Sequence, residues 1–194
     1  MIGAALAHAQ RYPQQVVALL QDEASFYRQP SQASLWAGAG RRQPHLGWSH
    51  RANTRVRVAG MLNAVTGATH TRQAAKITVP QLCQSYRQVL EAYPQALMVY
   101  LIQDNWPVHN HPRVRQFWAD HPRLHVLFLP TYAPWLNPIE KLWRWVKQNF
   151  YHAHPFCDDF GQFKQQLTAC LAEAAALPAA IKRYCGLNTF DLFN

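Results

Sequence analysis

An uninterrupted apolar run at residues 96–102 is the feature that most constrains the fold of this 194-residue chain. The run lacks the alternation of a half-buried strand, so it predicts a strand buried on both faces, as parallel strands in α/β proteins are. Gln103 and Asp104 follow it directly. A shorter apolar run at 16–21 predicts a first strand that ends in the same way, at Asp22 and Glu23.

The remaining patterns predict a mixed sheet with helices around it. Two strands around a turn near Asn63 would form an antiparallel meander with the first strand, and Thr78 is placed to cap a helix. The predicted strands are 54–62, 64–71 and 125–129, and the predicted helices are 78–93, 112–120, 138–151 and 159–177. This order predicts an α/β fold, a mixed sheet flanked by helices. We expect a single domain over 1–194, with 178–194 as a C-terminal tail.

Charge indicates a polyanionic partner. The chain has 19 Lys and Arg against 10 Asp and Glu, a formal net charge of +9, and 14 of the basic residues are Arg. Arginine binds phosphate through two parallel hydrogen bonds. The composition, 49% hydrophobic and only 15% charged, excludes a disordered polyelectrolyte. We therefore expect nucleic acid as the partner before a membrane surface.

Cysteine spacing and hydropathy indicate an intracellular protein. The four cysteines form no C-x-x-C pair, which favours a reducing compartment. No stretch approaches the roughly 20 apolar residues that a membrane span requires.

Three of the acidic residues stand at the ends of predicted elements. Asp22 and Asp104 each follow an apolar strand, and ligands of α/β sheets bind at the carboxyl ends of the strands. Glu140 follows a proline-rich loop and lies in the first turn of a helix. Three hard oxygen ligands around one cleft suit Mg²⁺ or Mn²⁺. Two such ions, about 3.5–4 Å apart, catalyse in-line displacement at a phosphodiester.

Basic residues surround these acids in the sequence. A site that acts on a polyanion needs such surroundings, so we take them as candidate DNA-binding residues. Those near Glu140 are Lys141, Arg144 and Lys147, and those in an acid-free segment are Arg41, Arg42, Arg51, Arg55 and Arg57.

Each feature has a structural alternative. Asn137 as N-cap and Glu140 three residues into the helix would close a capping box, and Arg144 could form a surface pair with Glu140. Asp22 and Asp104 could be turn residues. The arginine-rich segment could be a charged strand edge that guards against aggregation.

The motif Asp104-Asn105-x-x-x-His109 is followed by a longer one, Leu129-Pro130-x-Tyr132-x-Pro134-x-Leu136-Asn137-Pro138-Ile139-Glu140-x-x-Trp143-x-x-x-Lys147. Together they closely resemble the catalytic core of mariner-type transposases of bacterial insertion sequences. The resemblance extends to Asp22-Glu23 and to Trp36, Gly38 and Gly40. It covers about residues 16–155, nearly a whole DDE superfamily endonuclease domain.

The resemblance implies a ribonuclease-H-like fold in which Asp22, Asp104 and Glu140 hold two Mg²⁺ or Mn²⁺ ions. The implied reaction nicks the transposon ends and joins the freed 3′-hydroxyl to target DNA, usually at a TA dinucleotide. Asn105 and His109 would position the second carboxylate or contact the DNA. The alternatives are a turn asparagine and a capping or core histidine.

Members of this family place helix-turn-helix modules before the catalytic domain, but only 21 residues precede Asp22 here. We therefore expect no such domain in this chain. Three explanations are open: the second reading frame of a split element, with a separately encoded N-terminal DNA-binding portion, a truncated copy, or a chain cut at the domain boundary. The implied partners are double-stranded DNA and a second copy of the chain, in the bacterial cytoplasm with the nucleoid. Other possible functions are those of a DNA-binding remnant without catalysis and of a ribonuclease-H-like nuclease with another substrate.

Overall fold

The computed structural model describes residues 1–31, 47–130 and 137–188. They form a five-stranded sheet in the order β3-β2-β1-β4-β5. The strands are Val16–Tyr27 (β1), Arg55–Asn63 (β2), Thr69–Ala74 (β3), Met98–Gln103 (β4) and Leu124–Phe128 (β5). The helices are Ile2–Arg11 (α1), Val79–Ala92 (α2), Pro112–Ala119 (α3), Ile139–Val146 (α4), Phe160–Ala176 (α5) and Pro178–Tyr184 (α6).

The sheet is mixed, as predicted. Strands β1, β2 and β3 form the antiparallel meander, whereas β4 lies parallel to both β1 and β5. The β1–β4 ladder runs from Val16 opposite Met98 to Leu20 opposite Ile102. Beyond that last pair β1 is paired with β2 alone, so a cleft can open at this edge of the sheet.

Helices cover both faces of the sheet. On one face Leu20 and Phe26 pack with Trp143 of α4, Phe163 of α5 and Ile181 of α6. On the other face the helices α2 and α3 pack against β1 and β4, through a core of Leu19, Tyr86, Val89, Leu101 and Phe117. No helix in the described residues is both long and apolar enough to cross a membrane.

The first strand is longer than predicted. The prediction that it ends at Asp22 and Glu23 is wrong, because β2 pairs with β1 as far as Tyr27 opposite Arg55. Asp22 and Glu23 therefore lie inside a strand, and their side chains leave on opposite faces. The change from apolar to acidic residues marks the end of the β4 contact and not the end of the strand.

Other elements also differ from the prediction. The strand predicted at 64–71 starts at Thr69, because the Asn63 side chain accepts hydrogen bonds from the amides of Val65 and Thr66 and forms a turn. Helix α1 was not predicted. Helix α4 ends at Val146, and Lys147–Tyr151 form a π-helical turn. The segment expected as a tail contains α6, whose Ile181 is fully buried.

Candidate active site

Asp22, within β1, and Asp104, directly after β4, stand at matching distances from the last pair of these two parallel strands. Each stands two residues beyond the Leu20–Ile102 pair that closes the β1–β4 ladder. The two strands are neighbours in the sheet. Alternation along β1 places Asp22 on the side that α4 covers, whereas Asp104 follows the end of β4 and its Oδ1 lies beside His109. Both residues stand at the edge where α/β proteins bind ligands.

Asp22 is held in a mostly buried position under α4. Burial, followed by repulsion from Glu140, raises the pKa of Asp22 to about 7. The indole of Trp143 opposes this shift, because its Nε1 donates a hydrogen bond of 2.9 Å to Asp22 Oδ2. The structure thus brings Asp22 and Glu140 close enough for their charges to interact.

Glu140 is exposed in the first turn of α4, and no capping box accounts for it. The predicted N-cap role of Asn137 is wrong: the helix begins at Ile139, and no side chain caps it. The Asn137 amide instead donates to the carbonyl oxygen of Gln21 at 3.0 Å. The alternative pairing of Glu140 with Arg144 is also wrong, since the ion pairs within 4.0 Å in the described residues both involve His109.

Asp104 begins a tight turn after β4, where its Oδ1 accepts a hydrogen bond from the Trp106 amide at 3.0 Å. The buried His109 lies 3.1 Å from the Asp104 carbonyl oxygen and 3.5 Å from its Oδ1. The other ring nitrogen, Nε2, lies 3.5 Å from Glu23 Oε1. Burial alone would lower the pKa of His109, but Glu23 and Asp104 outweigh it and raise this pKa. The neighbouring Asn105 donates to the Leu129 carbonyl at 3.3 Å.

The basic residues predicted to bind DNA occupy different surroundings. Near Glu140, Arg144 is exposed and Lys147 half-buried, while Lys141 donates to the Cys185 carbonyl at 3.1 Å. Arg51 is exposed in the turn before β2. Arg41 and Arg42 lie outside the described residues, as does the motif segment 131–136.

Arg55 and Arg57 lie on β2. Arg57 pairs with Ser25 of β1 and with Ala74 of β3, so the alternative of a charged strand edge is wrong for Arg57, whereas Arg55 pairs with Tyr27 alone. Gly60 pairs with Asp22, and alternation places the two arginines on the opposite face from that carboxylate. The structure does not bring them together with the three acids.

The sequence did not predict three polar contacts at this edge of the sheet: Trp143 with Asp22, Glu23 with His109, and Asn137 with Gln21. Trp143 was predicted to face the core, and it is buried, but its N–H reaches Asp22. Its position three residues after Glu140 was the available signal, because helical residues three apart are neighbours.

The donor set fits a divalent cation, although the described residues contain no ready cluster of three His, Cys, Asp or Glu side chains that could hold a metal ion. Carboxylate oxygens are the ligands that Mg²⁺ and Mn²⁺ prefer. Burial, followed by repulsion from Glu140, raises the pKa of Asp22, so a negative charge at this position is poorly stabilised by its surroundings. A bound cation would compensate it.

Comparison with known proteins gives the same fold. The 39 kDa protein of insertion element IS630 from Shigella sonnei is 20% identical over 158 residues, which cover 81% of this chain and 45% of that protein. The mariner Mos1 paired-end complex with Mg has a TM-score of 0.62 at 15% identity, over 95% of this chain and 59% of the Mos1 chain. The catalytic core of BIV integrase has a TM-score of 0.50 at 13% identity, over 80% of this chain and 81% of that core.

The chain thus spans less than half of the curated relative and about three fifths of Mos1. Its fold is that of transposase and integrase catalytic cores, the ribonuclease-H-like fold that was expected. A family match extends over residues 17–164, most of the described sheet and helices included. This chain belongs to the DDE superfamily endonuclease family.

Proposed function

We propose that this chain is the catalytic domain of a transposase, a metal-dependent DNA endonuclease and strand transferase that acts on transposon ends. Its catalytic acids are Asp22, Asp104 and Glu140. The observation that carries the proposal is that Asp22 and Asp104 each stand two residues beyond the last pair of two parallel strands. Burial, followed by repulsion from Glu140, raises the pKa of Asp22.

The three acids would hold two Mg²⁺ or Mn²⁺ ions. When bound, two such ions supply the positive charge that activates an attacking oxygen and stabilises the leaving oxygen in displacement at phosphorus. Asp22 binds as a carboxylate, and the Trp143 N–H helps to keep it ionised. His109 holds the turn that carries Asp104, and Asn105 ties that turn to the end of β5.

Unpaired cations support double-stranded DNA as the substrate. In the described residues no Lys or Arg nitrogen lies within 4.0 Å of an acidic side-chain oxygen. Cations that are not neutralised inside the protein remain available for phosphates. Arg144 and Lys147, on the same helical segment as Glu140, are the nearest candidates, with Arg51, Arg55 and Arg57 as a second group. The solved relatives include a Mos1 transposase complex with a transposon end.

The assembly is part of the same proposal. The chain acts as a homodimer that holds two DNA ends. The protein works beside the nucleoid in the bacterial cytoplasm, where its DNA substrate lies.

Nicking of supercoiled plasmid tests the function. Wild type and Asp104→Asn are each incubated with Mg²⁺, Mn²⁺ or EDTA, and DNA binding is measured in parallel. We expect metal-dependent nicking by wild type alone, and equal or tighter DNA binding by the variant, which has lost a negative charge. Retained binding without nicking by wild type would indicate a DNA-binding remnant. Preference for RNA or branched DNA in a substrate panel would indicate another nuclease of this fold.

A further inference from the structure

Trp143 contacts the first catalytic acid directly. Its indole Nε1 donates a 2.9 Å hydrogen bond to Asp22 Oδ2. Within the described residues, no other side chain donates to this carboxylate at hydrogen-bond distance. The tryptophan itself is 2% exposed. A buried indole N–H usually finds a hydrogen-bond partner, and for Trp143 that partner is the carboxylate of Asp22.

The position of the ring is set by the strand beneath it. Gly60 lies opposite Asp22 in the β1–β2 ladder, and a Cβ at this position would collide with the six-membered ring of Trp143. Phe26 packs edge-on against the same ring at 6.4 Å between centroids. Because residue 60 has no side chain, the indole can approach β2 closely, and its N–H reaches Asp22 on β1.

Helix α4 carries both the indole and the third acid. Glu140 and Trp143 are three residues apart, so they are neighbours on the helix surface. When Trp143 binds Asp22, it also sets how far Glu140 stands from Asp22. One hydrogen bond thus constrains the orientation of the first acid and its separation from the third.

We propose that Trp143 is a positioning residue for the metal site: its N–H holds Asp22 Oδ2, orients the carboxylate and leaves Oδ1 for a divalent cation. This inference rests on the proposed function of Asp22 as a metal ligand. Hydrogen-bond partners of metal ligands typically contribute about 10–100-fold to metal affinity or activity.

The test is Trp143→Phe, which keeps an aromatic ring in the core and removes the N–H. Mn²⁺ affinity is measured on the full chain without DNA, by electron paramagnetic resonance and calorimetry. Nicking is then measured over a range of Mn²⁺ concentrations. The matched control is Trp118→Phe on α3, because the buried Nε1 of Trp118 has no hydrogen-bond partner in the described structure.

We expect Trp143→Phe to weaken Mn²⁺ binding about tenfold or more. The half-saturating Mn²⁺ concentration for nicking should rise in parallel, with a smaller loss of rate at saturation. Trp118→Phe should match wild type. Equal Mn²⁺ affinity of Trp143→Phe and wild type, within about twofold, would overturn the inference.

A second variant covers the case in which Trp143→Phe does not fold, as judged by circular dichroism. Gly60→Ala keeps the N–H but displaces the ring, so the same tenfold criterion applies to it. Asp22→Asn separates the two proposals. If that variant binds Mn²⁺ as wild type does, the proposed function fails. If Asp22→Asn loses Mn²⁺ affinity while Trp143→Phe and Gly60→Ala bind Mn²⁺ as wild type does, the positioning role fails and the proposed function stands.

Discussion

The side-chain amide of Asn137 donates a hydrogen bond to the carbonyl oxygen of Gln21 across 3.0 Å. This bond joins the residue before Asp22 to the segment that leads into α4. The Gln21 carbonyl lies one residue past the last β1–β4 pair, where no partner strand supplies a donor on that side. The Asn137 side chain therefore supplies the hydrogen bond that a neighbouring strand would otherwise give to Gln21. This bond fixes where α4, and with it Glu140, lies relative to Asp22.

Replacing Asn137 with alanine should weaken both stability and nicking. Asn137 is 4% exposed, so its loss leaves the Gln21 carbonyl buried without a donor. Such an unsatisfied group costs about 1–3 kcal/mol. Urea denaturation and plasmid nicking measure the two effects. Asn149→Ala serves as the control, because the Asn149 amide bonds the Trp145 carbonyl at the protein surface. Equal stabilities of the two variants would contradict this prediction.

The raised pKa of Asp22 should give the metal-free protein a contribution to stability that is present at acid pH and lost at neutral pH. The folded protein ionises Asp22 only at a pKa of about 7, whereas the ordinary value is 3.8. Protonated Asp22 therefore favours the folded state, and this contribution is lost as the pH rises from about 4 to about 7. In EDTA at about pH 8, Asp22→Asn should raise the free energy of unfolding by up to about 4 kcal/mol.

The same comparison at about pH 4 should show little difference, because Asp22 is then uncharged in the folded wild type. Denaturation curves at both pH values, with Glu91→Gln as an exposed acid control, check the prediction. A stability gain of equal size at both pH values would contradict it, since the gain would then not come from ionisation.

The salt dependence of DNA binding should distinguish arginines that contact DNA phosphates from arginines that hydrogen-bond within the protein. Arg144 is exposed. Arg123, in contrast, donates hydrogen bonds to carbonyl oxygens at and beyond the end of α2, those of Leu90, Tyr93 and Ala96. A phosphate contact adds about 0.9 to the slope of log K against log salt. Arg144→Ala should lower the slope by about that amount, and Arg123→Ala should leave it unchanged. Binding titrations between low and moderate salt measure both, and equal slopes for Arg144→Ala and wild type would refute the assignment.

Gly67 should tolerate no side chain. Its φ is +79°, and a Cβ there would collide with the Pro178 carbonyl and with Lys182 of α6. Gly67→Ala should therefore lower the free energy of unfolding by about 1–3 kcal/mol. Gly3→Ala is the matched control, because that helical glycine has open space and alanine should gain about 0.5–1 kcal/mol there. Thermal unfolding of both variants gives the answer, and unchanged stability of Gly67→Ala would show that α6 does not pack on this turn.

Local patterns predict the parts of the site that depend on one element. The buried run before Asp104 and the apolar run before Asp22 identified β4, the start of β1 and their shared edge. Both strands and their parallel pairing follow the rules for buried strands. The helix that begins near Glu140 was likewise predictable from Pro138 and the apolar spacing after it.

Relationships between distant residues were not predictable in this way. Whether Asp22 ends β1 depends on Arg55 pairing with Tyr27, a matter of tertiary pairing. Asn137 satisfies the ordinary preference for a helix N-cap, but its amide nitrogen donates to the buried Gln21 carbonyl, and this bond orients the side chain away from the capping position. Trp143 reaches Asp22 only because residue 60, far away in the chain, is glycine.

The matched offset of Asp22 and Asp104 from the Leu20–Ile102 pair limits how this chain can change length during evolution. Deleting one residue within β4 would move Asp104 one position closer to the Leu20–Ile102 pair and so remove its match with Asp22. Insertions in the turn between α2 and β4 would leave that offset intact. Descendants of this sequence can therefore gain or lose residues between the two strands, but hardly any within them.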